Sequence, residues 1–205
     1  VASQPSLAAA RVLALNPQSL TDVVSDLDRL GEATGTVETA QRLQTAWRAR
    51  IAAVQRATAD LNAAERPRVA MVEWLEPLML SGNWVPEIVA LAGGRHDLTA
   101  AGRHSPYVEW EELLDYDPQA IVVVPCGFDL ARTLGCWQRL TELPGWQGLS
   151  AVRAGRVHAV DGNAYFNRPG ARLIDSLEIL AHLLHPDRVD EPAELHGARP
   201  WARIA

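Results

Sequence analysis

At 205 residues the chain is long enough for one large domain or for a domain with added elements. Hydrophobic residues make up 48% and charged residues 21%, a globular balance far from disordered compositions. The net charge of −6 comes without a Lys/Arg cluster, which removes the basis for a nucleic-acid face. No run reaches the roughly 18 apolar residues that a membrane-spanning helix needs.

The start, VASQPSLAAA, lacks the cationic and apolar regions of a signal peptide and leaves the compartment open. Arg11–Leu15 (RVLAL), closed by Asn16-Pro17, reads as a strand entering a turn. Ser19 caps a short amphipathic helix with Leu20, Val23, Val24, Leu27 and Leu30 on one face and Gly31 as its stop. From Thr36 to Ala64, Val37, Ala40, Leu43, Trp47, Ile51, Val54 and Leu61 recur at helical spacing without Gly or Pro. One long helix fits this stretch, on the order of 40 Å, long enough to cross between two lobes. A helical hairpin is the alternative, without a sustained heptad to support it.

After Pro67 strands and helices alternate. Arg68–Trp74, Ala120–Val124 and Arg156–Val160 read as strands, and Trp84–Ala92, Glu109–Tyr116, Asp129–Leu143 and Ala171–His185 as helices. Strands of near-continuous Val, Ile and Ala imply a parallel sheet covered on both faces, so the fold class is α/β. Specifically, a parallel-sheet Rossmann-like C-terminal lobe is preceded by a long lobe-bridging helix. The loops after the three strands converge on one edge, where ligands of open α/β sheets bind. Those loops, VEWLEPLMLSGNW, VPCGFD and VDGNAYFNRPG, are rich in aromatic residues, Gly and Pro, the composition of a binding wall. The residues from Arg188 to Ala205 read as a loosely packed tail. Cys126 and Cys136, ten residues apart, read as two separate buried or half-buried thiols.

The strand ending VEWLEP, the Gly-Asn-Trp-Val-Pro-Glu helix start, the helix end ALAGG, Asp117-Pro118 before AIVVVPCGF, and GRVHAVDGNAYFNRPGARLIDSLEILAHLLHP follow one another in an order that resembles the cobalamin- and ferric-siderophore-binding substrate-binding proteins of ABC importers, the class with a helical backbone. The resemblance runs from Arg11 to Pro186. It implies two α/β lobes joined by one long helix, with ligand held between them. Most of the first lobe is then not represented: residues 1–35 correspond to its last strand and helix, 36–66 to the bridging helix, 67–187 to the C-terminal lobe and 188–205 to the tail.

By that resemblance, aromatic residues of the strand-end loops stack on the ligand. Trp74 and Trp84 bracket the first loop, where each reads equally as ligand stack or as a core plug beneath Leu78 and Leu80. Tyr165 and Phe166 fall where the family places an aromatic pair at the ligand. Phe128 faces the same edge or the core. Arg168 either grips a phosphate or carboxylate of the ligand or pairs with Asp161 to hold its loop. Cys126 reads as a small buried hydrophobe rather than a cap on a metal-bearing ligand. The six histidines lack metal-ligand spacing: His96 and His104 sit in a polar loop, His158 in a strand, and His182 and His185 at a helix end. No metal ligand, catalytic residue or tightly bound cofactor is therefore assigned.

The resemblance also implies an extracytoplasmic protein, periplasmic or membrane-anchored, whose partners are a small-molecule ligand and a membrane permease met through carboxylates such as Glu87, Glu142 and Glu178. The function it implies is capture of a corrinoid or iron-siderophore-like ligand for import, without chemistry. The alternatives are an enzyme or metal-handling protein of chelatase type and an orphan lobe acting as an interaction domain. A second copy in place of the first lobe would dimerise through the Thr36–Ala64 helix.

Overall fold

The computed structural model describes residues 10, 12–193, 195 and 199–205. Arg11 lies outside these, and residues 12–15 form no strand: no described strand runs beside them to complete a ladder, and Val12 is 69% exposed. Helix α1 (Leu20–Thr34) begins at Ser19, whose hydroxyl accepts from the Asp22 N–H while Asp22 accepts from the Ser19 N–H. Glu87 reinforces that end by accepting from the Leu20 N–H at 2.7 Å. Gly31 does not stop the helix. It faces the next helix so closely that a Cβ there would lie 2.8 Å from the Ala40 Cβ, and the turn comes at Gly35, with φ 70°.

Helix α2 (Val37–Thr58) has 22 residues, about 33 Å, and ends earlier than expected, because residues 59–66 fold into turns. Ala40, Gln44, Trp47, Val54 and Thr58 are buried, whereas Val37 and Leu43 stay exposed. The buried stripe is taken up by α1 and the lobe that follows, and nothing among the described residues supports a dimer through this helix.

The lobe opens with β1 (Val69–Leu75), which turns back into the short antiparallel β2 (Leu78–Leu80), a hairpin hidden within the first aromatic loop. Helix α3 (Val85–Leu91) and α4 (Trp110–Tyr116) lead to β3 (Ala120–Val123). The expected Asp129–Leu143 helix is broken at Trp137 into α5 (Leu130–Cys136) and α6 (Gln138–Thr141), followed by a 3₁₀ turn at Trp146–Gly148 and α7 (Ser150–Arg153). Then come β4 (Val157–Val160), α8 (Arg172–Leu184) and β5 (Trp201–Arg203). The strand order is β2-β1-β3-β4-β5, parallel across β1-β3-β4 and antiparallel at both edges. The sheet is thus parallel at its centre and mixed overall. The tail is no loose extension: it supplies β5, and Trp201 is 4% exposed in the core.

Alternation along the strands sends side chains to two cores. Val69, Met71 and Val122 join α1, α2, α3 and α8 on one face; Ala70, Val72, Ile121, Val123 and Val157 pack with Leu113, Leu140 and Trp146 on the other. Burial on both faces is why β3 reads as an unbroken apolar run.

Arg50 fastens α2 to the lobe. Its Nε and Nη2 donate to the two oxygens of Glu178 at 2.8 and 2.7 Å, and Nη2 also donates to Asp175 at 2.6 Å. These bonds outweigh burial and raise the guanidinium pKa further. Arg50 remains 37% exposed, so solvent screens the cluster. Arg50→Met is expected to lower stability by about 2 kcal/mol, below the 3 to 5 seen for fully buried pairs. Urea unfolding checks this; an unchanged midpoint would show that the clamp contributes nothing.

Candidate functional site

The carboxyl ends of β1 and β3 open onto a groove of about 460 Å³. Trp74 and Leu75 come from the end of β1, Pro125 and Phe128 from the loop after β3, and Arg132, Cys136 and Arg139 from α5 and α6. Trp74 is 37% exposed, and its ring meets Phe128 edge to face at 5.4 Å between centroids. Its indole N–H donates to the Glu76 carbonyl at 3.1 Å, which fixes the ring's orientation. The Arg132 guanidinium lies over the Phe128 ring, 3.6 Å from its centroid. Among the described residues Arg132 has no carboxylate partner, while Arg139 pairs with Glu76 at 3.4 Å across the mouth. The site is an aromatic wall with a cation at one end, suited to stack a flat group and to meet an anionic one.

Of the residues expected here, Trp74 and Phe128 come together in the groove. Trp84, Tyr165 and Phe166 do not line it: they are 8%, 4% and 0% exposed within the core beneath α3 and α8. Trp84 donates its indole N–H to the Phe166 carbonyl at 2.6 Å, and the Phe166 N–H donates to the Ser176 hydroxyl at 3.0 Å. These bonds hold Phe166 in the left-handed region with φ 64°, which turns its ring inward. Arg168 is exposed on the strand-end loop and donates to Asn163 Oδ1 at 3.0 Å. Its expected partner Asp161 instead accepts from the Asn163 and Ala164 N–H groups, both at 2.9 Å. Arg132 escaped the sequence reading, although its position four residues after Phe128, across a helix start, was a usable signal.

Cys126 is exposed rather than buried, and Cys136 is half-buried beside the groove; both are free. Burial raises both thiols, and Glu73 raises Cys126 further. His96 lies in its loop but is only 6% exposed, its ring nitrogens 2.9 and 3.2 Å from the Val69 and Ser81 carbonyls. Among the described residues no three His, Cys, Asp or Glu side chains group as metal ligands. Glu87 and Glu178 are engaged with α1 and Arg50, which leaves Glu142 as the exposed carboxylate of the three.

A long lead-in helix, a parallel-centred sheet wrapped by helices and a groove at the strand ends define one lobe of an α/β ligand-binding protein. The chain belongs to the periplasmic binding protein family, whose pattern matches residues 6–164. It is 25% identical over 183 residues to an uncharacterized ABC transporter substrate-binding lipoprotein of Bacillus subtilis, YvrC, covering 88% of this chain. The chain spans 55% of that relative's length. The fold is similar to an ABC transporter substrate-binding protein of Listeria monocytogenes, with TM-score 0.76 and 17% identity over 88% of this chain and 70% of the other. It is also similar to the periplasmic vitamin B12-binding protein BtuF of Vibrio cholerae, with TM-score 0.67 and 22% identity over 90% and 71% of the two chains.

Proposed function

We propose that this chain is the bridging helix and C-terminal lobe of a substrate-binding protein that captures a corrinoid or iron-siderophore-like ligand outside the cytoplasm and hands it to an ABC permease. The carrying observation is the exposed Trp74 ring against the half-buried Phe128 at the strand ends, backed by the Arg132 cation. A concave groove lined by aromatic residues and a cation at the strand ends is where ligands of open α/β sheets bind. Family membership and the likeness to the vitamin B12 binder point the same way. Binding without chemistry fits the raised thiols, which stay protonated and weakly nucleophilic at neutral pH. In this reading residues 12–35 are the end of the first lobe, and α2 joins the two lobes.

Titration with cyanocobalamin and ferric siderophores, followed by tryptophan fluorescence, tests the reading on this chain and on a two-lobed version. Micromolar quenching is expected, and Trp74→Ala is expected to weaken it about tenfold, near 1.4 kcal/mol. The substitution should lower the urea midpoint only modestly, because Trp74 is 37% exposed, far more than the core aromatics. Silence from both proteins across the panel would reject the corrinoid and siderophore reading and leave the ligand to be sought elsewhere.

A further inference from the structure

Polar contacts close a triangle between the two N-terminal helices and the lobe. Helices α1 and α2 form one unit: Gly31 lets their backbones approach, and the buried Gln44 side-chain amide donates to the Val24 carbonyl at 3.1 Å. Helix α2 is fixed to the lobe in its C-terminal half. Arg50 ties it to α8, and at its end the Thr58 hydroxyl donates to the Leu91 carbonyl of α3 at 3.3 Å. The remaining side runs from α1 to α3 directly. There Glu87 Oε2 accepts from the Leu20 N–H at 2.7 Å, and Oε1 from the Thr21 hydroxyl at 3.4 Å.

That third side spans a gap. A groove of about 340 Å³ lies between α1, α2 and α3, lined by Leu20 and Val24, by Ile51 and by Leu91, with Arg48 and Gln55 also at its wall. Close-packed interiors resist displacement, whereas an open groove leaves room for a helix to tilt. Glu87 is therefore the polar tie that holds the start of α1 across the space. A carboxylate suits the place, since the amino end of a 15-residue helix favours negative charge and its N–H groups make charge-assisted bonds. Starting the helix does not require it, because Ser19 and Asp22 already form a complete capping box. What Glu87 adds is a link between segments 67 residues apart. It takes no part in the Trp74–Phe128 groove, whose lining it does not join.

We propose that Glu87 is a positioning residue whose carboxylate fixes the angle at which α1 leaves the lobe. Resting on the ligand-binding reading above, that angle sets the stance of the first lobe and with it the width of the ligand cleft. Glu87 then governs binding without touching the ligand, by keeping the two halves of the site in register.

Hydrogen exchange on this chain and small-angle X-ray scattering of the unliganded two-lobed version test the proposal. In Glu87→Ala the Leu20 amide is expected to exchange about tenfold faster while the α8 amides keep their protection. The radius of gyration of the two-lobed variant is expected to increase, because a freed lobe samples wider angles. Glu87→Gln keeps one acceptor oxygen without the charge and is expected to show both effects at smaller size. Faster exchange at Leu20 with unchanged scattering would overturn the proposal and leave Glu87 a helix cap. Equal acceleration in α1 and α8 would overturn it as well, since the residue would then support the whole fold rather than one angle. Neither measurement contains a ligand, so a failure of cyanocobalamin and the siderophores to bind rejects the ligand reading and is distinct from a failure of the brace.

Discussion

Phe166→Ala is expected to cost about 4 kcal/mol of folding stability, in the range found when large aromatic side chains are removed from packed cores. The ring is fully buried between α3 and α8, and the backbone that carries it is tied on both sides. Its carbonyl accepts from the Trp84 indole and its N–H donates to the Ser176 hydroxyl, which limits collapse into the space that alanine leaves. The left-handed φ of 64° persists with alanine, which has no ring contacts to compensate for it. Phe166→Leu refills most of the volume and is expected to lose about 1 to 1.5 kcal/mol. Urea unfolding of both variants is the check. A ligand-stacking Phe166 would give the opposite pattern, with affinity lost and stability kept.

Lowering the pH from 7 to 4 is expected to destabilise the protein by about 3 kcal/mol through His96 alone. Burial is the main cause of its depression to about 4, against hydrogen bonds to the Val69 and Ser81 carbonyls that favour the charged ring. The unfolded chain takes up a proton near 6.5, whereas the native ring stays neutral until about 4. Stability is therefore full above 6.5, falls through the interval and levels off below 4. His158 is also depressed to about 4, by burial and then by Arg156, Arg203, His182 and Arg199, and it steepens the same fall. The carboxylates of Asp22 and Asp117 are lowered by the hydrogen bonds they accept, from Gln18 and Ser19 and from Ser150 respectively. Their contribution is lost only as the pH drops below 3.8, a separate window. Urea midpoints at pH 7, 5.5 and 4.5 for the native chain and His96→Gln resolve the two histidines. Equal slopes in both proteins would show that His96 does not titrate as its burial requires.

The central strands were legible because burial on both faces leaves an unbroken apolar run, as in Ala120–Val123. Helix α8 was legible for the same reason, with ten of its thirteen residues buried. What escaped depends on pairing distant in sequence. Leu78–Leu80 and Trp201–Arg203 are three residues each and are strands only because β1 and β4 offer edges to them. Residues 12–15 have the composition of a strand and no described neighbour to make them one.

At the site, composition identified loops rich in aromatic residues but not the direction in which each ring points. Trp74 and Phe128 face outward, whereas Trp84, Tyr165 and Phe166 turn inward through a helix start and a left-handed residue that no periodicity encodes. The Arg132 contact lies across the start of α5, where loop and helix were read separately.

The last strand bears on how this chain can be handled. The Ile204 N–H donates to the Val157 carbonyl and the Val157 N–H to the Ala205 carbonyl, so the final residues sheathe the outer edge of β4. A boundary drawn at the end of α8, where regular periodicity stops, would strip that sheath and bare both a strand edge and the apolar seat of Trp201. Affinity tags and fusion partners appended after Ala205 extend from a hydrogen-bonded edge, and a flexible spacer there would keep them from prying β5 away.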